Sequence, residues 1–239
     1  MIEVVILDIE GTICPISFVK EGLFPYFLEK LPTYLEKLEY PITKNGTSDV
    51  NDIGSEFGSE HTESYEDLLN YITELVKNDV KQPALKTLQG YIWTKGYASH
   101  ELKAPLYDDA IKFVENTKKS KKIYIYSSGS VKAQKLLFTY VEGKDGQVLD
   151  LKPSITDYFD ITTSGYKNEA ASYRSILASI GYEKNPEAVM FLSDNVHEIK
   201  AASEASMQSV VVVRPGNVPL STDDKETYKT INNFDELGI

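Results

Sequence analysis

The first strand-like run of this sequence is separated from the next by more than a hundred residues. Residues 3–7 are rich in aliphatic and β-branched side chains, and a comparable run begins only at Lys122. From there onward such runs alternate with helical patterns, which is typical of a mostly parallel sheet with helices on both faces. A first strand that belongs to this sheet must be followed by a large insertion. The sequence therefore predicts a doubly wound α/β core that is interrupted after its first strand.

The elements of this core are predicted from short apolar runs and from helical periodicity. Gly181 stands where the second helix of the core would end, because glycine is common just beyond a helix C-terminus. The predicted strands cover residues 3–7, 122–126, 158–162, 189–192 and 209–213, and the predicted helices cover residues 131–141, 169–180 and 196–206.

The insertion has the pattern of a helical cap domain. At 239 residues the chain is long enough for one core with a large insertion. We expect residues 16–103 to form the cap, and residues 1–15 together with residues 104–239 to form the core.

Local signals mark the helices of this cap. Ser64 and Asp67 form the pattern of a capping box before an apolar face. Pro83 suits the first turn of a further helix, where its missing N–H costs nothing. Pro25 and Pro32 are expected to kink or divide the first cap helix.

The charge of the chain excludes some partners. The formal net charge is −11, and no concentrated basic stripe accompanies it, so we expect no binding to nucleic acid. Between Lys44 and Asp67 there are seven acidic residues and one basic residue. We interpret this segment as a solvated acidic loop in preference to a cation site.

The cysteine and histidine residues limit which metal sites and disulfides the chain can form. Cys14 is the single cysteine, so an intramolecular disulfide and a cysteine-based zinc site are excluded. The three histidines lack metal-ligand spacing. The sequence opens on a predicted strand without the pattern of a signal peptide, and no apolar run approaches the length of a membrane span. We expect a protein of the cytoplasm, with the nucleus as a second location, and no membrane partner; without a heptad seam, a monomer is the expected state.

Polar residues follow four of the predicted strands at the point where each strand ends. Ligands of open α/β sheets bind beyond the carboxyl ends of the strands, so these residues are expected to converge. Together they supply carboxylates, hydroxyl groups, backbone amides and a lysine, which is what magnesium-assisted phosphoryl transfer requires. The four segments are Asp8-Ile9-Glu10-Gly11-Thr12, Ser127-Ser128-Gly129-Ser130, Ser164-Gly165-Tyr166-Lys167 and Ser193-Asp194-Asn195.

Each of these segments also has a purely structural interpretation. Asp8 and Glu10 could form a turn after an edge strand, and Lys167 could be a surface lysine. Asp194 could be only the N-cap of the helix that starts near Val196. Residues 127–130 could cap the following helix, a role that is compatible with binding phosphate at its positive end.

The combination of motifs resembles that of the haloacid dehalogenase superfamily. This pattern is an N-terminal D-x-[DE]-G-T, a serine after the second core strand, a lysine, and an acid after a later strand. The sequence is more closely similar to the enolase-phosphatase family, also called acireductone synthases, in segments of both cap and core. It departs from that family at Ile13, at Cys14 and in its acidic cap loop. The similar segments are residues 15–19, 88–93, 96–97, 101–103, 126–130 and 167–173.

The resemblance implies a role for each residue of the site. Asp8 would be the nucleophile that forms an aspartyl-phosphate, and Glu10 the general acid and base. One Mg²⁺ per subunit would be held by the Asp8 side chain, the Glu10 backbone carbonyl and Asp194, with Glu198 supporting it from behind. The remaining members would bind phosphate oxygens or offset their charge, namely Thr12, Ser127, Ser128, the Gly129 amide and Lys167.

The function that the resemblance implies is a two-step reaction of methionine salvage. The enzyme would enolise 2,3-diketo-5-methylthiopentyl-1-phosphate and then release phosphate to give the acireductone. The core motifs leave open a capped phosphatase that acts on another small phosphate ester without enolisation. A dehalogenase and a non-catalytic phosphate-binding module are more distant alternatives. In the cap, Trp93, Lys95 and Tyr97 could line the substrate site or belong to the cap core.

Overall fold

The computed structural model describes residues 1–44 and 48–239, and it divides the chain into two compact units. One unit consists of Met1–Phe18 and Lys103–Ile239, and the other consists of Val19–Leu102. The second unit is therefore a continuous segment inserted into the first. Among the described residues, no helix combines the length and the apolar character that crossing a membrane would need.

The first unit is built on a six-stranded sheet in the order β5-β2-β1-β6-β7-β8, in which every pairing is parallel. The predicted α/β fold class is confirmed. A short antiparallel pair, β3 with β4, lies outside this sheet. In the described part of the chain the strands are β1 (Val4–Leu7), β2 (Lys122–Tyr126), β3 (Val141–Glu142), β4 (Val148–Leu149), β5 (Asp157–Phe159), β6 (Val189–Ser193), β7 (Gln208–Val212) and β8 (Thr230–Ile231).

Both faces of the sheet are buried, which explains why its strands are continuous apolar runs. Alternate side chains of β1 illustrate this, since Val5 and Leu7 belong to one hydrophobic cluster and Val4 and Ile6 to the other. The helices of both units are α1 (Phe24–Leu35), α2 (Asp49–Gly54), α3 (Tyr65–Lys77), α4 (Pro83–Ala98), α5 (Asp108–Thr117), α6 (Val131–Thr139), α7 (Ile161–Ser164), α8 (Ala170–Ile180), α9 (Val196–Glu204) and α10 (Thr222–Thr227).

Helices on the two faces of the sheet close these clusters. Ile111 of α5 and Phe138 of α6 pack on one side, and Ile176 of α8 and Ile199 of α9 on the other. The predicted helices α6, α8 and α9 are confirmed, with α6 and α9 ending two residues earlier than expected. The sequence analysis missed α5, α7, α10, the β3–β4 pair and β8, most of which are too short to give a periodic signal.

The third predicted strand, residues 158–162, is wrong in its second half. Asp160 is the N-cap of α7, and its side chain accepts hydrogen bonds from the backbone N–H groups of Thr162 and Thr163. Thr163 returns a bond to the Asp160 backbone, which completes a capping box. β-Branched residues therefore form a helical turn here because the local cap outweighs their strand propensity.

The second unit has a hydrophobic core of its own, and most of its predicted features are confirmed. The Ser64 side chain accepts from the Asp67 N–H at the start of α3, and Pro83 lies in the first turn of α4. Helices α1, α3 and α4 bury one face each in this core. Its fully buried members include Phe27, Leu31, Leu35, Leu68, Ile72, Leu88 and Ile92.

The two prolines of the first cap helix behave differently. Pro25 lies in the first turn of α1, directly after a π-helical turn at Phe18–Leu23, so the helix is divided there as expected. Pro32 does not divide it, because α1 continues to Leu35. The buried side chains of Leu31 and Leu35 hold the last turn in the cap core, and the Glu36 N–H donates to the Pro32 carbonyl at 2.9 Å.

The acidic segment between Lys44 and Asp67 is more ordered than the predicted loop. Residues 45–47 lie outside the described residues, and helix α2 begins directly after Ser48, whose side chain accepts from the Asn51 N–H. Val50 and Phe57 are buried in the cap core. The acidic side chains therefore belong to a short amphipathic element.

Trp93 is half-buried and packs against the hydrophobic core of the cap unit. The Trp93 indole N–H donates to the Leu23 carbonyl at 2.9 Å, and its ring stacks on Phe24. Tyr97 is buried, and the exposed Lys95 lies over the Tyr91 ring. These contacts favour the structural interpretation for Trp93.

A test of the cap core uses Trp93, the one tryptophan of the sequence, as a fluorescent reporter of this unit. Phe27→Ala removes a fully buried ring from α1 and should lower the unfolding free energy of the cap by about 3–5 kcal/mol. Tryptophan fluorescence during denaturation by urea would measure the shift. Thr33→Ala, at an exposed position of the same helix, should leave the midpoint almost unchanged. An equal shift in both variants would contradict the assigned core.

Candidate active site

The site lies where the strand order of the sheet reverses. From β1 the chain proceeds to β2 and β5 on one side, whereas β6 is followed by β7 and β8 on the other. The crevice beyond the carboxyl ends of such neighbouring strands is where open α/β sheets bind ligands. Asp8 follows β1 and Asp194 follows β6, and the Asp8 N–H donates to the Leu192 carbonyl at 2.9 Å. The two acids are therefore brought to one edge by adjacent, paired strands.

A buried ion-pair network connects three of the expected residues. The Lys167 Nζ atom lies 2.6 Å from Asp8 Oδ1 and 2.7 Å from Glu198 Oε2. Ser193 donates to Glu198 at 2.8 Å and also reaches Asp8 Oδ2 at 3.4 Å. Only 8% of the Lys167 side chain is exposed, so the surface-lysine interpretation is wrong.

Burial and charge act in opposite directions on Lys167. Burial alone would lower the pKa of its ammonium group, but the charges of Asp8 and Glu198, and the hydrogen bonds to them, raise it above the ordinary value. The pKa of Glu198 is raised, mainly by burial and then by the Asp8 charge, against the opposing effect of Lys167. Lys167 is therefore a fixed cation beside Asp8.

Two tyrosines hold the segment that carries Lys167. The Tyr173 hydroxyl donates to the Lys167 carbonyl at 2.7 Å, and the Tyr126 hydroxyl donates to the Gly165 carbonyl at 2.7 Å. The two rings meet edge to face at 5.5 Å between centroids. The lysine backbone is thereby tied to β2 and α8, so its position does not depend on its charged partners alone.

The turn after β1 is tightly wound around one carbonyl. The Ile9 carbonyl accepts from the N–H groups of Thr12, Ile13 and Cys14. Gly11 adopts a φ of +71°, a left-handed conformation that favours glycine. A Cβ atom at this position would also collide with the Asp194 carboxylate. Gly11 is therefore required by both conformation and space.

Thr12 lies in a different environment from the one that was predicted. It is fully buried, with an exposed fraction of 0%, and its Oγ1 accepts from the Asp194 N–H at 3.1 Å. A residue without exposed surface cannot contact phosphate in this structure. Thr12 instead connects the turn after β1 to the end of β6.

Asp194 is not the N-cap of the following helix. That role belongs to Asn195, whose side chain accepts from the His197 N–H at 3.0 Å. Burial, then the charge of Asp8, then that of Glu198 raise the pKa of Asp194 to about 7. The carboxylate therefore lies close to other negative charges that Lys167 only partly offsets.

This excess of carboxylate charge fits a divalent cation. Among residues 1–44 and 48–239, no three side chains of His, Cys, Asp or Glu form a ready metal-binding cluster. A site made of two carboxylates and one backbone carbonyl does not need such a cluster. Mg²⁺ commonly binds through one or two carboxylates while keeping several waters. Beside Asp194, the Asn217 Oδ1 atom is buried without a hydrogen-bond partner. The donor chemistry at this edge is therefore suitable for Mg²⁺.

The segment after β2 caps helix α6 and leaves one of its serines exposed. Ser130 is the N-cap of α6, because its side chain accepts from the Ala133 N–H at 3.3 Å. Gln134 donates to the Gly129 carbonyl at 2.7 Å, which fixes this turn. Ser127 is buried next to the end of β2, whereas Ser128 is exposed. Both serines lie at the strand edge that carries Asp8.

The sequence analysis missed two polar residues of this site and assigned no role to a third, Ser193. Ser193 is the last residue of β6, and its hydroxyl connects Asp8 and Glu198. Arg214 and Asn217 follow β7 and donate to the turn after β1. The rule used for the other strand ends would have found these two, since the fifth predicted strand also ends in polar residues. Glu198 was expected to support the metal, and its direct partners are Lys167 and Ser193.

Known proteins match this chain over most or all of its length. A family model described as haloacid dehalogenase-like hydrolase matches residues 2–206. The chain is similar to the enolase-phosphatase E1 of Debaryomyces hansenii, with 55% identity over 100% of the chain and 97% of that protein. It is similar to the enolase-phosphatase E1 of Candida tropicalis, with 54% identity over 100% of the chain and 99% of that protein.

Solved structures are similar as well. The UTR4 protein of Saccharomyces cerevisiae superimposes with a TM-score of 0.87 at 46% identity, covering 99% of this chain and 100% of that one. CbbY of Rhodobacter sphaeroides superimposes with a TM-score of 0.60 at 15% identity, covering 100% and 97% of the two chains, which indicates a shared fold.

The raised pKa of Asp194 predicts how stability depends on pH. In the unfolded chain this carboxyl ionises near its ordinary value of 3.8, and in the folded protein near 7. Stability without metal should therefore fall as the pH rises from about 5 to about 8, by about 2–4 kcal/mol. Mg²⁺ should oppose the loss above pH 7, because it binds the ionised form.

Thermal denaturation with EDTA and with Mg²⁺ over this pH range would measure both effects. Asp194→Asn should flatten the pH dependence and remove the stabilisation by Mg²⁺. The assignment would be wrong if this variant kept the pH slope and the response to Mg²⁺ of the unmodified protein.

Proposed function

The chain belongs to the haloacid dehalogenase-like hydrolase family, and from this premise we propose that it is an enolase-phosphatase. It would convert 2,3-diketo-5-methylthiopentyl-1-phosphate to the acireductone and phosphate in methionine salvage. Relatives that carry this enzyme name are 54–55% identical over the whole chain, cap and core together. The observation that carries the phosphatase part is the buried contact of 2.6 Å between Lys167 and Asp8.

We propose that Asp8 is the nucleophile. One of its carboxylate oxygens attacks the phosphorus in line and forms a new P–O bond, while the bond from phosphorus to the substrate oxygen breaks. Glu10 donates a proton to the departing oxygen. It then takes a proton from the water that attacks the aspartyl-phosphate, which releases phosphate and restores Asp8. The position of Glu10 two residues after Asp8, in the turn held by the Ile9 carbonyl, supports this assignment.

Lys167 and Glu198 would control the charge around Asp8. When Asp8 becomes an acyl phosphate, it loses its carboxylate charge and the phosphoryl oxygens bring new negative charge. Lys167 stays protonated through this change because Glu198 remains at 2.7 Å. The lysine can therefore stabilise charge that develops on the phosphoryl group. Ser127, Ser128 and the Gly129 amide would bind the same oxygens from the neighbouring strand end.

One Mg²⁺ per subunit would be held by the Asp8 side chain, the Glu10 backbone carbonyl and Asp194. When bound, it would supply positive charge to phosphoryl oxygens and polarise a substrate carbonyl. Thr12 positions Asp194 for this purpose through the bond of 3.1 Å to its N–H. We also propose a monomer that works in the cytoplasm or nucleus.

The order of the two steps tests the function. The protein and Mg²⁺ would be incubated without oxygen with the diketo phosphate, and ultraviolet absorbance of the enol and free phosphate would be followed in the same sample. The enol should appear before phosphate. Asp8→Asn should release no phosphate, since it lacks the nucleophile. Phosphate release without an enol would indicate a capped phosphatase with another substrate.

Removal of the buried ammonium group gives a second test. Lys167→Ala should lower kcat for phosphate release by about 100- to 1000-fold, as expected for the loss of one charge-stabilising donor. Circular dichroism would show whether the fold is retained. Lys200→Ala, at an exposed position on α9, serves as the matched control and should keep normal turnover. Near-normal rates in a folded Lys167→Ala variant would exclude the proposed role.

A further inference from the structure

We propose that Arg214 and Asn217 are positioning residues that hold the catalytic turn, residues 8–12, by two consecutive backbone carbonyls. Arg214 Nε donates to the Thr12 carbonyl at 3.0 Å, and Asn217 Nδ2 donates to the Gly11 carbonyl at 2.9 Å. The inference rests on the proposed phosphatase chemistry of that turn. It adds a function for the segment after β7, which the mechanism above does not use.

A single tight turn presents both side chains. Residues 214–217 read Arg-Pro-Gly-Asn, and the Asn217 N–H donates to the Arg214 carbonyl at 3.2 Å, which closes a four-residue turn. Proline at the second position and glycine with a φ of +86° at the third are typical of a type II turn. The turn fixes the separation of its first and last residues, so the two donors reach neighbouring peptide groups as a unit.

Arg214 is an anchor that a lysine could not replace. Only 6% of its side chain is exposed, and its guanidinium also donates to the Asn232 carbonyl at 3.2 Å and to Asp109 Oδ2 at 2.8 Å. The group lies over the rings of Tyr107 and Phe234, at 4.3 and 5.3 Å from their centroids. A planar group with several fixed donors fits this position, whereas an ammonium group would act as a point charge.

The composition of the chain agrees with a specific need for the guanidinium. Of the 25 basic residues only Arg174 and Arg214 are arginines, and the others are lysines. Arg174 lies at the surface, where its guanidinium donates to the Glu204 carbonyl. Arg174 is therefore a natural control for the loss of an arginine elsewhere in the same unit.

The turn sets the position of Asp194 relative to Asp8, the two acids proposed to bind the metal. The Thr12 carbonyl is held by Arg214 while the Thr12 hydroxyl holds the Asp194 N–H. The Gly11 carbonyl is held by Asn217, and the Asp194 carboxylate lies where a Cβ atom of residue 11 would be. Displacement of these carbonyls would therefore shift Asp194 relative to Asp8. Misplacement of catalytic groups by about 1 Å can cost on the order of 100-fold in rate.

The test compares Arg214→Lys and Asn217→Ala with two controls, Arg174→Lys and Asp109→Asn. Asp109→Asn weakens the ion pair of Arg214 but leaves the donor to Thr12 in place. Phosphate release would be measured with p-nitrophenyl phosphate and with the diketo phosphate. Mg²⁺ binding would be measured by calorimetry without substrate, and Tm by circular dichroism.

For Arg214→Lys and Asn217→Ala we expect kcat to fall by about 10- to 100-fold with little change in KM. The Kd for Mg²⁺ should rise by at least about tenfold, as expected if Asp194 is displaced. Arg174→Lys should behave like the unmodified protein. Asp109→Asn should lower Tm while keeping kcat and the Kd for Mg²⁺ within about threefold.

The proposal would be overturned if both positioning variants kept kcat and the Kd for Mg²⁺ of the unmodified protein. It would also be overturned if Asp109→Asn lost as much activity at an equal loss of Tm, because stability alone would then explain the effect. If Arg214→Lys fails to fold, Asn217→Ala decides, since it leaves the Arg214 ion pair intact. Failure of the proposed function would be recognised separately, as phosphate release by the unmodified protein without enol formation.

Discussion

The structure of the core depends on one ammonium group buried between two carboxylates. Removing three charged groups from water is costly, and the cost is offset only where their geometry and hydrogen bonding are good. Here β1 supplies Asp8, α9 supplies Glu198, and the loop before α8 supplies Lys167, whose backbone is fixed by Tyr173. The parallel sheet is the scaffold that makes this meeting possible. Without Lys167 the same edge would hold an array of carboxylates that repel one another.

Much of this arrangement could be predicted from the sequence, because strand ends can be located from apolar runs and parallel strands end at a common edge. The distances between these residues and the identity of their hydrogen-bond partners could not be predicted. Thr12 belongs to the motif that marks the site, yet its hydroxyl is used inside the protein to hold Asp194. The error at residues 160–162 had a local cause, since one aspartate cap converts a β-branched run into a helical turn. Arg214 contacts Thr12 and Asp109, which lie 202 and 105 positions away in the chain, and no local pattern reveals such partners.

The two units of the structure are built from different segments of the sequence. The core places acids, a lysine and the serines after β2 at one sheet edge, and the inserted helical unit has a separate hydrophobic core that uses its own residues. Relatives that share about half of the residues match both units over their full length, so the similarity is not confined to the generic catalytic motifs. Distant structures at 15% identity retain the fold alone.

The central position of β1 in the sheet has a consequence for folding during synthesis of the chain. Val4–Leu7 are made before both of their partner strands, since they pair with residues 122–125 and 189–192. At elongation rates of about 5–20 residues per second, the strand waits on the order of ten seconds or more for its second partner. The inserted segment Val19–Leu102 is complete long before that and buries its own apolar residues. One edge of β1 therefore lacks its partner until residues 189–192 have been made, whereas the helical unit can bury its own apolar residues much earlier.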